Sequence, residues 1–407
     1  MNRIAILYPC DPVGFVPSGI DTFIRGLLKW APADLEYTLF GATTDTAARP
    51  IGQVHRIPGL YRECGFLPLV TVDHSARRSR VPLTLRYISA LRRRLRDDSL
   101  AKFEILDFHR PEPIVLFRRD PRPKNLVLHQ DMTVIRGKHS DIKWRHFPWL
   151  YDRLERYLFR HVAHVFCVRQ SAIERYQARY AGRGIGFEFI PTWVDMEAFA
   201  ASDHMREDSR RELRKKLGFP GQARLLTFVG RLDRQKNPLL LVDAFRSAAV
   251  NDPSLYLVIV GDGALRSEVE QGIESYGISE RVRLLGAQPP SRVAGVLQAS
   301  DLFVLSSAYE GMPIAVLEAL AAGLPVVSTD VGEIRLVVMD GVNGAVATAQ
   351  TPEALGAAIS SALAKLDTLR GAPCRESVRA YGPGAVLGRI YQHHRRQAQL
   401  LGARRSP

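Results

Sequence analysis

SSAYEGMPIAVLEALAAGLPVVSTD, residues 306–330, sets two carboxylates, Glu310 and Glu318, eight positions apart around the start of a helix. Pro313 suits a first helical turn, where its missing N–H forfeits no intrahelical bond, and Gly323 followed by Pro325 suits the stop. The pattern predicts a helix from about Pro313 to Ala322. Eight positions at roughly 100° each separate two residues by about 80° around the axis, so both glutamates can face one pocket even with Glu310 in the preceding loop. Unpaired N–H groups at a helix start attract anions, and carboxylates accept hydrogen bonds from sugar hydroxyls. A polyol joined to a phosphate satisfies both halves. Either glutamate taken alone is as readily a solvated helix residue. The runs Leu302-Phe303-Val304-Leu305 and Val326-Val327 read as buried parallel strands, and Glu318 interrupts an otherwise apolar helix, which favours the ligand-binding reading.

Outward from this segment, short apolar runs alternate with helix-period stretches, the pattern of parallel sheets covered by helices. Strands are expected at residues 4–8, 37–40, 103–106, 126–128, 165–168 and 187–190, and again at 225–229, 257–260, 282–285, 302–305 and 326–328. Two doubly wound α/β domains follow, residues 1–195 and 196–376, joined through IPTWVDMEAF, with a terminal helix over 377–407. A chain of 407 residues with 46% hydrophobic content gives each domain enough material for its own core. The start, MNRIAILYPCDPVGF, has too short an apolar run for a signal peptide, and no uninterrupted run of about 18 apolar residues occurs elsewhere, so a cytoplasmic location is expected. Cys10, Cys64, Cys167 and Cys374 are far apart and form no C-x-x-C pair, which points to reduced thiols rather than a disulfide framework or a zinc site.

LLTFVGRLDRQKNPLLLVDAF, residues 225–245, places Arg231 and Lys236 after a strand; LYLVIVGDGALRSEVE and VRLLGAQPPSRVAGVLQASDLFVLSS then lead to the glutamate segment. In this order the segments resemble the retaining family 4 glycosyltransferases of the GT-B fold. Their C-terminal domain carries an E-x7-E motif in this strand, loop and helix setting, with an Arg and a Lys in the donor-phosphate segment. The resemblance runs from about residue 223 to 345. It implies two Rossmann-like doubly wound domains facing a central cleft, the first binding an acceptor and the second a nucleotide sugar, with the terminal helix crossing back to the first. The implied reaction moves a sugar from a nucleoside-diphosphate donor to a glycan or lipid-linked glycan, with retention at the anomeric carbon, as in cell-surface polysaccharide or glycolipid assembly. Arg231 and Lys236 would meet the charge that develops on the diphosphate, together with the helix start at Pro313. Glu318 would hold the ribose, and Glu310 with the backbone of Gly311, Met312, Pro313 and Ile314 would grip the sugar. No convincing D-x-D motif is present, so neither a metal nor another cofactor is expected. Other activities of the fold stay open at this point: a phosphorylase, which would carry a pyridoxal-phosphate lysine site that the sequence does not identify, a nucleotide-sugar epimerase, or a non-catalytic nucleotide-sugar-binding protein.

Gly261-Asp262-Gly263 follows a strand as a dinucleotide fingerprint would, but it lacks the third glycine at the right spacing and is a weak signal for a nicotinamide cofactor. Pro17-Ser18-Gly19 precedes the expected helix over residues 20–30, where the resemblance places a Gly-Gly loop near the donor. Gly19 matches the second glycine and Ser18 departs from the first; an ordinary strand-to-helix turn reads equally well. His129 in NLVLHQDM sits at the carboxyl edge where open parallel sheets hold ligands, and the resemblance assigns it to the transferred sugar. His109 in ILDFHRPEP ends a neighbouring strand and matches a second family histidine, although a lone His at a strand end is often structural. At the hinge, Pro191-Thr192-Trp193-Val194-Asp195 replaces the family's Asn-Gly turn with a bulky pair.

Of the formal net charge of +14, +10 falls in residues 1–200. There ARRSRVPLTLRYISALRRRLRDD sets Leu85, Ile88, Leu91 and Leu95 at helical spacing, with Arg86, Arg92, Arg93 and Arg96 largely on other faces. A basic amphipathic helix over 77–96 can lie on an anionic membrane surface, or pack its apolar stripe on its own domain. Membrane docking is the expectation, in keeping with a lipid-linked acceptor. No recognised nucleic-acid-binding motif accompanies the charge, so nucleic acid is not an expected partner.

Overall fold

The computed structural model describes all residues except 1, 15–17, 73–80, 98–99, 130–146, 201–202 and 406–407. The described chain forms two units: residues up to Pro191 together with those from Pro383 onward, and Thr192–Gly382.

The first unit is built on strands β1 (Asn2–Leu7), β2 (Leu35–Thr43), β3 (His55–Ile57), β4 (Cys64–Thr71), β5 (Ile105–Phe108), β6 (Lys124–Leu128), β7 (His164–Cys167) and β8 (Gly186–Phe189). Their order is β3-β4-β2-β1-β5-β6-β7-β8, parallel except for the antiparallel β3–β4 edge. Central strands of such a sheet are covered on both faces, which is why Ile4, Ala5, Ile6 and Leu7 are all fully buried. The β3–β4 edge escapes sequence reading because Pro68 lies inside β4. Proline removes a ladder donor and argues against a strand; here it pairs with Gly41 next to a register shift in β2.

The terminal helix, Pro383–Arg405, packs on this first unit. The Tyr391 hydroxyl donates to Leu27 O at 2.9 Å, His394 Nδ1 meets the Tyr37 hydroxyl at 2.8 Å, and the amides of Asn125 and Gln397 exchange hydrogen bonds at 2.9 and 2.8 Å. His394 Nε2 also lies 3.5 Å from Asp107 Oδ2, with both residues fully buried. Burial pushes the Asp107 carboxyl up to about 8 and the His394 imidazole down to about 3, so the pair is neutral at pH 7.

The second unit holds β9 (Arg224–Val229), β10 (Leu255–Val260), β11 (Val282–Gly286), β12 (Leu302–Leu305), β13 (Val326–Ser328) and β14 (Gly344–Val346) in the order β11-β10-β9-β12-β13-β14, all parallel. The three-residue edge strand β14 is too short to read from the sequence. The units divide at Pro191 and Gly382 rather than at 195 and 376. Val194 and Val378 are buried in the second core, and the Val194 N–H donates to Tyr381 O. The bulky Thr192-Trp193 pair is buried, and the Thr192 hydroxyl donates to Met312 O at 3.2 Å.

Candidate functional site

In the second unit the loop after β9 begins at Gly230 and is anchored by Leu232, which is fully buried. The Leu232 N–H donates to Asp262 O and Leu232 O accepts from the Leu265 N–H, so the loops after β9 and β10 lie against each other. A side chain at Gly261 would place its Cβ 1.8 Å from Gly230 O, and one at Gly263 would come 2.4 Å from Leu232 O. Gly261 also has a φ of 143°. Close backbone approach therefore accounts for the Gly-Asp-Gly sequence without a nicotinamide cofactor. Asp233 then shapes the turn: Oδ1 accepts the Lys236 N–H at 3.0 Å, and Oδ2 pairs with Arg231 Nη1 at 2.9 Å. Asn237, left-handed at φ 47°, turns the chain into helix Pro238–Asn251.

Lys236 Nζ lies 2.6 Å from Glu310 Oε1. The same oxygen accepts from the Ser307 hydroxyl at 2.7 Å, and Glu310 Oε2 accepts from Gln235 Nε2 at 3.3 Å. Gln235 Oε1 in turn accepts from Arg231, whose side chain is half exposed. Arg231, Gln235, Lys236, Ser307 and Glu310 thus form one connected polar group at the carboxyl edge of the sheet. Backbone contacts fix the two loops together: the Ala308 N–H donates to Gln235 O and the Ser306 hydroxyl to Lys236 O. Gly332, at φ 54°, lies where a Cβ would come 2.1 Å from Gly311 O. Gln235 and Ser307 were not singled out in the sequence; Gln235 adjoins Lys236, but nothing local signals that its amide reaches residue 310.

Pro313 caps helix Ile314–Ala321, with no side chain closing the N-terminus, and Gly323 at φ 70° follows the end. Met312 is a core residue, with its carbonyl taken by Thr192. The anion-attracting end of this helix is therefore supplied by backbone N–H groups. Glu318, one turn further along, is half-buried and takes no part in the Lys236–Glu310 group. Its carbonyl accepts from the Ala322 N–H, but among the described residues its carboxylate has no hydrogen-bond or ion-pair partner, and burial pushes it up to about 7.

In the first unit His109 and His129 follow the adjacent strands β5 and β6. His109 Nδ1 and His129 Nε2 are 3.0 Å apart, and Phe23 of helix Gly19–Lys29 packs against both rings. Burial lowers His129 to about 3 and His109 well below its usual value, so both are neutral, one donating and the other accepting. Among the described residues, His109 Nε2 is buried without a partner. Gly19 opens its helix, and the Ser18 hydroxyl accepts the Asp21 N–H as the N-cap, which explains the departure from the first glycine. Pro17 lies outside the described residues. In the loop that leads there, Asp11 accepts from the N–H groups of Val13, Gly14 and Thr44 and pairs with Arg49; burial pushes its carboxyl up, but the hydrogen bonds from Thr44, Gly14 and Val13 outweigh this and hold it down at about 2.

The basic segment 77–96 is described from residue 81 on and contains helix Leu83–Arg94. Its Tyr87 and Leu91 are buried in the unit's own core, with Leu83 and Leu95 packed against it. Arg86 donates to Thr71 O and Oγ1, and Arg94 to Gly52 O. Of the apolar stripe, Leu91 and Leu95 thus turn inward, Ile88 is half-buried and Leu85 is exposed, and among the described residues of the segment Arg92, Arg93 and Arg96 are the exposed cations. No helix among the described residues is long and apolar enough to cross a membrane.

Two parallel-sheet α/β units with this strand order define a GT-B protein. Solved structures agree across the whole chain: sucrose-phosphate synthase from Thermosynechococcus elongatus (20% identity, 99% of this chain and 100% of that one, TM-score 0.78) and Anabaena HepE in complex with UDP and glucose (16% identity, 97% and 99%, TM-score 0.71). Residues 209–371 match the family model of glycosyl transferases group 1. It is similar to the D-inositol 3-phosphate glycosyltransferase of Segniliparus rotundus, with 31% identity over 47% of this chain and 42% of that protein. It is also similar to the UDP-Gal:alpha-D-GlcNAc-diphosphoundecaprenol alpha-1,3-galactosyltransferase of Escherichia coli, with 37% identity over 35% and 36%. The chain thus matches less than half the length of these curated relatives.

Proposed function

We propose that the protein transfers a sugar from a nucleoside-diphosphate sugar to a hydroxyl of a glycan or lipid-linked glycan, with retention at the anomeric carbon and without a metal. The observation that carries this is the Lys236–Glu310 pair, built beside the uncapped helix start at Pro313. As the bond to the diphosphate breaks, negative charge grows on the leaving group. Arg231, Lys236 and the N–H groups at the helix start are the donors suited to stabilise it. Glu318, half-buried and with no carboxylate partner among the described residues, is suited to a ribose diol. Glu310 takes the sugar hydroxyls while its hold on Lys236 keeps the ammonium in register. We assign His129 to a further sugar hydroxyl, with His109 fixing its tautomer. The name of the E. coli relative includes a diphosphoundecaprenol-linked acceptor, which supports a lipid-linked acceptor and attachment at an anionic membrane surface, with Arg92, Arg93 and Arg96 contributing charge.

The test has two steps. A thermal-shift screen of nucleotide sugars should single out a donor, because a ligand at 100 times its Kd adds about 2.7 kcal/mol of stability. That donor should then lose its sugar to material in a crude membrane-lipid extract, and NMR of the product should show the donor's anomeric configuration. Binding without turnover in the presence of such acceptors contradicts the transferase reading.

A further inference from the structure

Helix Pro148–Phe159 of the first unit is built inside out. Its two acids face the protein: Glu155 is 1% exposed and accepts from the hydroxyls of Tyr176 and Tyr180, and Asp152 is held by Arg156 and Arg179. Tyr151, Leu158 and Phe159 are buried beside them. The outward residues are Trp149 (62% exposed), Leu150 (42%), Arg153, Arg156, Tyr157 (39%) and Arg160, with Phe147 (56%) just ahead of the helix. At roughly 100° per residue, the six from Trp149 to Arg160 fall within about 120° of arc. One face of a surface helix thus carries two aromatics, a leucine and three arginines, with no acid among them.

We propose that this face is a membrane-docking surface, and that its partner is the interface of a bilayer containing anionic lipid. Trp and Tyr carry an apolar ring with a polar edge and settle at the headgroup boundary, while Arg reaches the phosphates. A solvated helix would put its acids outward, whereas here Asp152 and Glu155 are buried while Trp149 and Tyr157 are exposed beside the arginines. The apolar component that helix Leu83–Arg94 turns into its own core is supplied here. The inference deepens the membrane-bound acceptor reading and rests on it.

Sedimentation of the full chain with phosphatidylglycerol-containing vesicles tests it, beside phosphatidylcholine vesicles. Wild type should pellet with the anionic vesicles and less with the zwitterionic ones. The variant Trp149→Ala/Leu150→Ala/Tyr157→Ala should lose about tenfold or more in partitioning, with its thermal unfolding and donor hydrolysis in solution unchanged. A second variant, Arg92→Gln/Arg93→Gln/Arg96→Gln, separates the two surfaces. If that variant loses binding while the aromatic variant pellets like wild type, the docking face is overturned and the basic segment stands alone. A wild type that ignores anionic vesicles overturns the proposal too, as does ultracentrifugation showing a dimer that the aromatic variant converts to monomer. Donor turnover by wild type in solution is read independently, so failure at the membrane is distinct from failure of the enzymatic reading.

Discussion

Lys236 and Glu310, seventy-four positions apart, share a 2.6 Å ion pair in which both side chains are largely buried. The proposed phosphate ligand and the proposed sugar ligand are therefore one electrostatic unit. Removing the lysine leaves a buried carboxylate supported, among the described residues, by Ser307 and Gln235, whereas neutralising the glutamate leaves an ammonium that can turn to a phosphate.

That asymmetry gives the first prediction. Lys236→Ala should lower stability by about 1 to 3 kcal/mol, the cost of an unsatisfied buried charge. Adding Glu310→Gln should recover most of the loss, since the amide no longer needs a cation. Denaturant titrations of the two single variants and the double variant check this, and additive losses would show that the pair is not coupled.

Glu318 gives opposite effects on stability and binding. Its folded pKa of about 7 lies above the usual carboxyl value of 4.5. The folded state therefore binds the proton more tightly than the unfolded state, and this contribution to stability is full below about pH 4.5 and lost as pH rises through 7. Glu318→Gln should stabilise the unliganded protein at pH 8 by about 1 to 3 kcal/mol and have much less effect at pH 4.5. The same variant should bind a nucleoside diphosphate more weakly. Thermal unfolding at the two pH values, with calorimetry alongside, reads both signs.

The histidine pair predicts non-additive kinetics. His129→Ala should reduce turnover, His109→Ala should reduce it less, and the double variant should be no slower than His129→Ala alone. His109→Gln, which keeps a hydrogen-bonding group, should recover part of the His109→Ala loss. Independent multiplicative losses would mean that His109 does not act through His129.

Much of this was legible because local rules and the fold agree. Pro313 and Gly323 bracket the helix where propensity places them, and the strands that flank the glutamates are uniformly apolar runs. Pro68 hid β4 because a proline in a strand ordinarily argues against one. The coupling of Lys236 to Glu310 was not legible, since it depends on two loops from different strands being held by Ala308–Gln235 and Ser306–Lys236 contacts. Burial was the other hidden variable. Helical spacing showed the stripe of Leu85, Ile88, Leu91 and Leu95 but not which way it faces, and nothing in YDRLERY announces that its acids point inward.

The most direct measurement is calorimetry of a panel of nucleoside diphosphates against wild type, Lys236→Ala and Glu310→Gln. Wild type should bind at least one of them. Lys236→Ala should bind it about 10- to 100-fold more weakly, for the loss of one charge-assisted hydrogen bond. Glu310→Gln should bind it at least as well as wild type while failing in transfer. Absence of binding to any nucleoside diphosphate, or equal affinity in wild type and Lys236→Ala, would contradict the assignment of this group as the donor site.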